Sequence, residues 1–140
     1  MPLLCAKKPW RSKSLSLGPT HQLPQHTTNI GLVLDNKGDY VGAIDMYQKA
    51  LVIQEPLLGV HPDTAETHNN IGLSLYKKGD HRGALQQFQE SYIMYHSSLG
   101  LGHLATQNLQ INIETTKRKM ALKIAMVYIL FAMLFIFWWF

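Results

Sequence analysis

Seven histidines are spread over 140 residues, and His61 and His68 stand seven apart with Asp63 and Glu66 between them. Imidazoles and carboxylates at that density raise metal-assisted hydrolysis as a first idea. The spacing refuses it. A helical zinc site of the H-E-x-x-H kind needs two histidines four apart on one face, and no pair here meets that. Nucleophilic chemistry fares no better. Cys5 is the sole cysteine and lies in a polar leader with no ordered base beside it, so nothing would hold it as a thiolate. A lone cysteine forms no intramolecular disulfide and gives no hint of an oxidising compartment. No G-x-S-x-G, Walker or G-x-G-x-x-G motif occurs. The sequence therefore predicts no catalytic residue, no metal and no cofactor.

The more informative polar series is Asn29, Asn70 and Asn112, spaced by 41 and 42 residues, with Asn69 doubling the second member. An amide side chain offers donors and an acceptor together, which suits the backbone of an extended peptide. The same amides can instead bond within a fold or cap helix ends. Which of these holds depends on the elements that carry them.

Those elements repeat. "NIGLVLDNKGDYVGAIDMYQKAL" begins at Asn29 and "NIGLSLYKKGDHRGALQQFQESY" begins at Asn70. Gly31/Gly72, Leu34/Leu75, Gly38/Gly79, Asp39/Asp80, Gly42/Gly83, Ala43/Ala84 and Tyr47/Phe88 match at that offset. Leu-Gly pairs at 17–18, 58–59 and 99–100 return at the same period, each followed by a histidine (His21, His61, His103). A unit of this length reads as two helices. Gly38 and Gly79 suit helix C-terminal caps, because a left-handed residue must follow the last turn. Asp39 and Asp80 then suit N-caps of the next helix. Ala43, Tyr47, Ala50 and Leu51 form a buried stripe, repeated by Ala84, Leu85, Phe88 and Tyr92. Small residues at Gly31, Gly72, Ala43 and Ala84 should let paired helices approach, with Tyr47 and Phe88 filling the adjoining space.

The stretches "GDYVGAIDMYQKAL", "LGVHPDTAETHNNIG" and "KKGDHRGALQQFQES" resemble the tetratricopeptide repeat, and in particular the longer kinesin light chain-like subtype, over about residues 17–113. The resemblance implies first helices lining a concave face, where groove asparagines hold cargo peptides. It places His61 and His103 in turns between repeats, in packing or turn roles. Groove-side positions would be Gln25, Thr28, Leu32, Glu66, Asn69 and Leu73. None is basic, so the Lys/Arg clamp of chaperone-binding relatives is absent. Departures are also visible. Pro56 should end or kink its helix early. Gly42 and Gly83 replace better helix formers, at roughly 0.5–1 kcal/mol each. Ser91 stands where the first unit has Ala50. The third unit has a first helix and no second.

Charge is unevenly placed. Residues 1–34 carry four bases and no acid, residues 35–113 carry eight acids against five bases, and Lys117, Arg118, Lys119 and Lys123 follow. The net charge of +4 thus comes from the ends, and a slightly acidic middle excludes a nucleic-acid-binding face. The leader lacks the apolar core of a secretory signal, and Pro2, Pro9 and Gly18 spoil a transit-peptide helix.

Ile124 to Phe140 is 17 residues without a charge, about 26 Å of helix at ~1.5 Å per residue. It is expected to cross a bilayer, with Lys123 snorkelling at one interface and Trp138 and Trp139 at the other. Four basic residues before the span place the repeats in the cytosol. With no signal at the front, the pattern is that of a tail-anchored protein. The endoplasmic reticulum is preferred over the mitochondrial outer membrane, where tail anchors often carry basic residues after the span.

The expected fold is all-α: a short tetratricopeptide-type solenoid of antiparallel helix pairs plus a C-terminal transmembrane helix. The expected divisions are a basic disordered leader at 1–24 ending in the remnant of a preceding repeat, repeats at 25–60 and 61–102, a closing helix at 103–119 and an anchor at 120–140. The expected function is a membrane-anchored module that binds an extended peptide or helical partner through Asn29, Asn69, Asn70 and Asn112. Two alternatives stand beside it: a degenerate repeat fragment acting through self-association of its anchor, and an organelle import or co-chaperone receptor.

Overall fold

A computed structural model describes residues 19–139. These form five helices in chain order: α1 (Pro19–Asn36), α2 (Tyr40–Leu58), α3 (Pro62–Lys78), α4 (His81–Leu99) and α5 (Leu104–Trp139). Each helix packs against the next in order, and α1 also touches α3. The result is two antiparallel pairs stacked side by side, closed by α5. Expectations that fall on residues 1–18, Cys5 among them, lie outside the described residues, as does Phe140; the last six residues of the expected disordered leader, 19–24, instead open α1.

The turns carry the paired caps that the repeat predicts. Gly38 and Gly79 take left-handed backbone angles, with φ 85° and 95°. The chain can therefore reverse straight after α1 and α3. Asp39 and Asp80 then accept a hydrogen bond from the backbone N–H of Gly42 and Gly83 at 3.0 Å, meeting donors that the first helical turn leaves free. The same contacts explain why glycine recurs at 42 and 83. A Cβ on Gly83 would lie 2.7 Å from Asp80 Oδ2, and one on Gly42 would press on Asp39 in the same way. The lost helix propensity makes room for the capping carboxylate.

Helix pairs approach through the small residues. A Cβ on Gly31 would sit 2.6 Å from the Tyr47 ring, and one on Gly72 2.6 Å from the Phe88 ring. Both rings are buried, Tyr47 at 1% exposure and Phe88 at 1%. One core cluster gathers Ala43, Tyr47, Leu51 and Ile71. The other gathers Ala65, Ala84, Phe88, Tyr95, Leu109 and Ile113, and Leu75 packs on both. Ile71 is buried, whereas its repeat mate Ile30 is half exposed. The difference follows from position: α3 has α2 behind it, while Ile30 lies on the outer helix of the described array.

Another sequence expectation is corrected. Pro56 does not cut α2 short; the helix runs on to Leu58 and equals α4 in length, at 19 residues each. Pro56 falls in the last turn, where losing one backbone donor breaks little, and the N–H of Gly59 still reaches the Glu55 carbonyl at 3.0 Å. Ser91, where the first unit has Ala50, is buried. Its hydroxyl donates to the Ala65 carbonyl at 2.6 Å and ties α4 to α3.

Polar ties also fix one unit on the next. Asp35, at the end of α1, accepts from the Ser74 hydroxyl at 2.8 Å and pairs with Lys77. The Thr67 hydroxyl donates to Gln54 Oε1 at 2.8 Å between α3 and α2. Such buried partners fix the stacking geometry, because breaking one leaves the other unmet.

Burial, reinforced by Asp35, pushes the Tyr47 phenol from its ordinary 10.0 up to about 12. Burial, reinforced by Glu66 and then Asp63, does the same to Tyr95. The folded state holds both protons more tightly than the unfolded chain does. Their contribution to stability is complete below pH 10 and is lost as the pH climbs from about 10 to 12. We expect the melting temperature of the full chain in detergent, followed by circular dichroism, to fall steeply in that window. Tyr47→Phe and Tyr95→Phe should each make the fall shallower; unchanged slopes would refute the assignment.

α5 unites two roles. Thr106, Leu109, Ile113 and Thr116 are its buried residues, spaced to form one stripe against the second unit. From residue 121 to 139 every residue is exposed. The helix continues without interruption from the closing segment into the apolar run.

Candidate functional site

Two hollows lie along α1, α3 and α5. Between α1 and α3 lies a hollow lined by Gln25, Thr28, Asn29 and Leu32 on one wall and Asp63, Glu66 and Thr67 on the other, with Gln54 contributing from α2. Between α3 and α5 a second hollow is lined by Glu66 and Asn69 facing Ala105, Asn108, Leu109 and Asn112, with Tyr95 also present. Glu66 borders both, so the two hollows read as one groove crossing the stack. Its only charged side chains are Asp63 and Glu66.

Of the four asparagines singled out in the sequence, Asn29, Asn69 and Asn112 line this groove. Asn70 lines neither hollow, and its buried Nδ2 meets no acceptor. Asn69 Oδ1 is likewise buried and accepts no hydrogen bond, yet its residue borders the second hollow. A buried acceptor left unmet costs on the order of 1–3 kcal/mol, so an unused one beside an open hollow is notable. Asn108 is a groove residue that the asparagine series missed. It is spaced 42 residues from Glu66, which is spaced 41 from Gln25. Following the groove position rather than the residue type would have found it.

His61 and His103 cap helices. His61 Nδ1 accepts from the Asp63 N–H at 3.1 Å, and His103 Nδ1 accepts from the Ala105 N–H at 3.2 Å. Their place in the turns is as the repeat implies. His68 Nδ1 bonds to Gln87 Oε1 at 2.9 Å, inside the second pair. Among the described residues no group of three His, Cys, Asp or Glu side chains is placed to hold a metal ion.

The residues expected to flank a membrane lie along α5. Lys117 reaches Glu114 at 3.4 Å, and the Lys119 ammonium stands 4.6 Å over the Tyr76 ring. Arg118 and Lys123 are exposed. Trp138 and Trp139 are exposed at the far end, where Trp139 stacks with Phe135 at 6.3 Å between ring centroids. The run that they close is long and apolar enough to cross a membrane, and none of its most apolar stretch is buried in the fold.

Stacked antiparallel helix pairs that present their first helices along a polar groove define a binding scaffold of the solenoid class. A tetratricopeptide repeat family model matches residues 22–97, over half of the chain, and the chain belongs to that family. No curated protein matches it. The family is a non-catalytic scaffold whose repeats bind proteins or peptides.

Proposed function

We propose that the chain is a membrane-anchored interaction module that takes an extended peptide bearing Lys or Arg in the groove of α1, α3 and α5. The observation that carries this reading is the row of side-chain amides, Asn29, Asn69, Asn108 and Asn112, that line the two hollows. Such amides can both donate to and accept from the backbone of an extended peptide. Asp63 and Glu66 favour a cationic side chain over an anionic one. The 41-residue period and the "LGVHPDTA" turn favour the kinesin light chain-like subtype. The basic flank of α5 favours repeats on the cytosolic side of the membrane.

An array of extended peptides, probed with the full chain in mild detergent, tests the groove. Peptides with Lys or Arg should be enriched, and binding should weaken as salt is raised. Asn69→Ala should lower affinity about tenfold, the scale of one lost hydrogen bond with its partner left unmet. Glu66→Lys should abolish the basic preference, while Glu90→Lys, outside the groove lining, should preserve it. Equal binding by wild type and Glu66→Lys would rule out this groove as the peptide site.

A further inference from the structure

A second cavity lies away from the peptide groove, where α5 passes the turn between α3 and α4. It has a volume of 550 Å³. One wall is the α5 stripe Met120, Lys123, Ile124, Val127 and Tyr128; the other is the turn from Gly79 to Arg82. The wall is mostly apolar, and its charged residues are Asp80, Arg82 and Lys123. Lys123 is the last charged residue before the apolar run, so its level is where a bilayer's headgroups would lie. Arg82 and Lys123 both line the cavity, and neither has an ion-pair or hydrogen-bond partner among the described residues. Lys119 is held nearby over Tyr76, whose ring also contacts His81 at 5.1 Å. His81 Nδ1 is buried and unpartnered. The one acid, Asp80, is already engaged as the cap of α4.

We propose that this cavity is a binding site for one anionic phospholipid. Its phosphate and acidic headgroup meet Arg82 and Lys123. One acyl chain lies along Ile124, Val127 and Tyr128. The charge pattern selects an anionic headgroup. The apolar stripe, which continues below the basic level, selects a lipid over a free anion. Guanidinium groups pair two-pronged with phosphate, which gives Arg82 the larger share. A lipid held there would wedge between the repeats and the anchor and fix the angle at which the solenoid stands on the membrane. The proposal rests on the reading of α5 as a membrane anchor.

The test keeps the two readings apart. The full chain, purified in non-ionic detergent, is incubated with equal amounts of phosphatidylserine and phosphatidylcholine, and bound lipid is counted by native mass spectrometry. One phosphatidylserine should be retained in preference to phosphatidylcholine. Arg82→Gln should reduce that preference about fivefold, the scale of one basic residue at a charged surface. Val127→Trp, which fills the cavity while keeping the run apolar, should abolish retention altogether. Equal retention of the two lipids, or retention unchanged in both variants, would overturn the site. So would displacement of the lipid by millimolar inorganic phosphate, which would make the cavity an anion site. Carbonate extraction of cell membranes judges the anchor separately. A chain that resists extraction yet shows no lipid preference keeps its anchor and loses this site. A chain that is extracted loses the membrane setting on which the proposal rests, and the proposal with it.

Discussion

Phe88→Ala is expected to remove the cooperative unfolding transition of the repeats while leaving the helical signal of the apolar part of α5. The ring is 1% exposed and sits at the centre of the larger core cluster, among Ala65, Ala84, Tyr95, Leu109 and Ile113. Truncating a buried Phe costs about 3–5 kcal/mol, because transfer energy is lost and a cavity remains. Domains of ordinary stability have about 5–15 kcal/mol in hand, and repeat arrays usually need about three units to stand alone. Two pairs and a closing helix belong at the lower end of that range. Gly72→Ala approaches the same contact from the other side. Its new Cβ would lie 2.6 Å from the Phe88 ring, and a ring closed in on all sides cannot withdraw. Overpacking of this kind costs about 1–3 kcal/mol. Combining Gly72→Ala with Phe88→Leu should recover part of the loss, since the smaller side chain vacates the clash; the two changes are coupled and will not add. Urea unfolding of the full chain in detergent, followed by circular dichroism, measures all three. A midpoint for Phe88→Ala close to wild type would mean that the repeats are not held by this cluster.

The repeat was legible because it is written in local chemistry. A left-handed glycine, a capping aspartate and a small residue facing an aromatic ring each act within a few residues or across one helix pair. The offset of 41 displays them twice. What the sequence hid depends on neighbours distant in the chain. Gly83 looks like a weak helix former until Asp80 is seen folded over it, and Ser91 looks like a departure from Ala50 until the Ala65 carbonyl is found beside it. The groove was legible in type and not in membership. The asparagine series puts Asn29, Asn69 and Asn112 at the hollows and Asn70 outside them, while Asn108, outside the series, lines the second hollow. Residue type repeats with the sequence, whereas the face that a residue occupies depends on which helix packs beside it. The cavity at Arg82 and Lys123 is harder still, because it exists only through α5 running past a turn 41 residues earlier.

Aspartate substitutions in the apolar part of α5 should separate anchoring from binding. Leu130 and Leu134 lie midway along the run and are 57% and 66% exposed, with no other helix against them. Carboxylates at the centre of a membrane helix cost about 2.5–3.5 kcal/mol each. Leu130→Asp should therefore shift the membrane-to-soluble balance by about a hundredfold, and adding Leu134→Asp by about ten-thousandfold. Neither change touches the core clusters or the groove, so helicity of the repeats and peptide binding should persist. Alkaline extraction of cell membranes reads the result: wild type in the pellet, the double variant released together with a chain ending at Arg118. Val52→Asp, an exposed apolar position on α2, controls for added charge and should stay in the pellet. A released wild type would leave a run of bare apolar side chains in water, which no isolated chain tolerates. Self-association through α5 would then have to cover it, and the aspartates would break that assembly. Size measurement on the released chain thus distinguishes a bilayer from a protein partner as the surface that α5 needs.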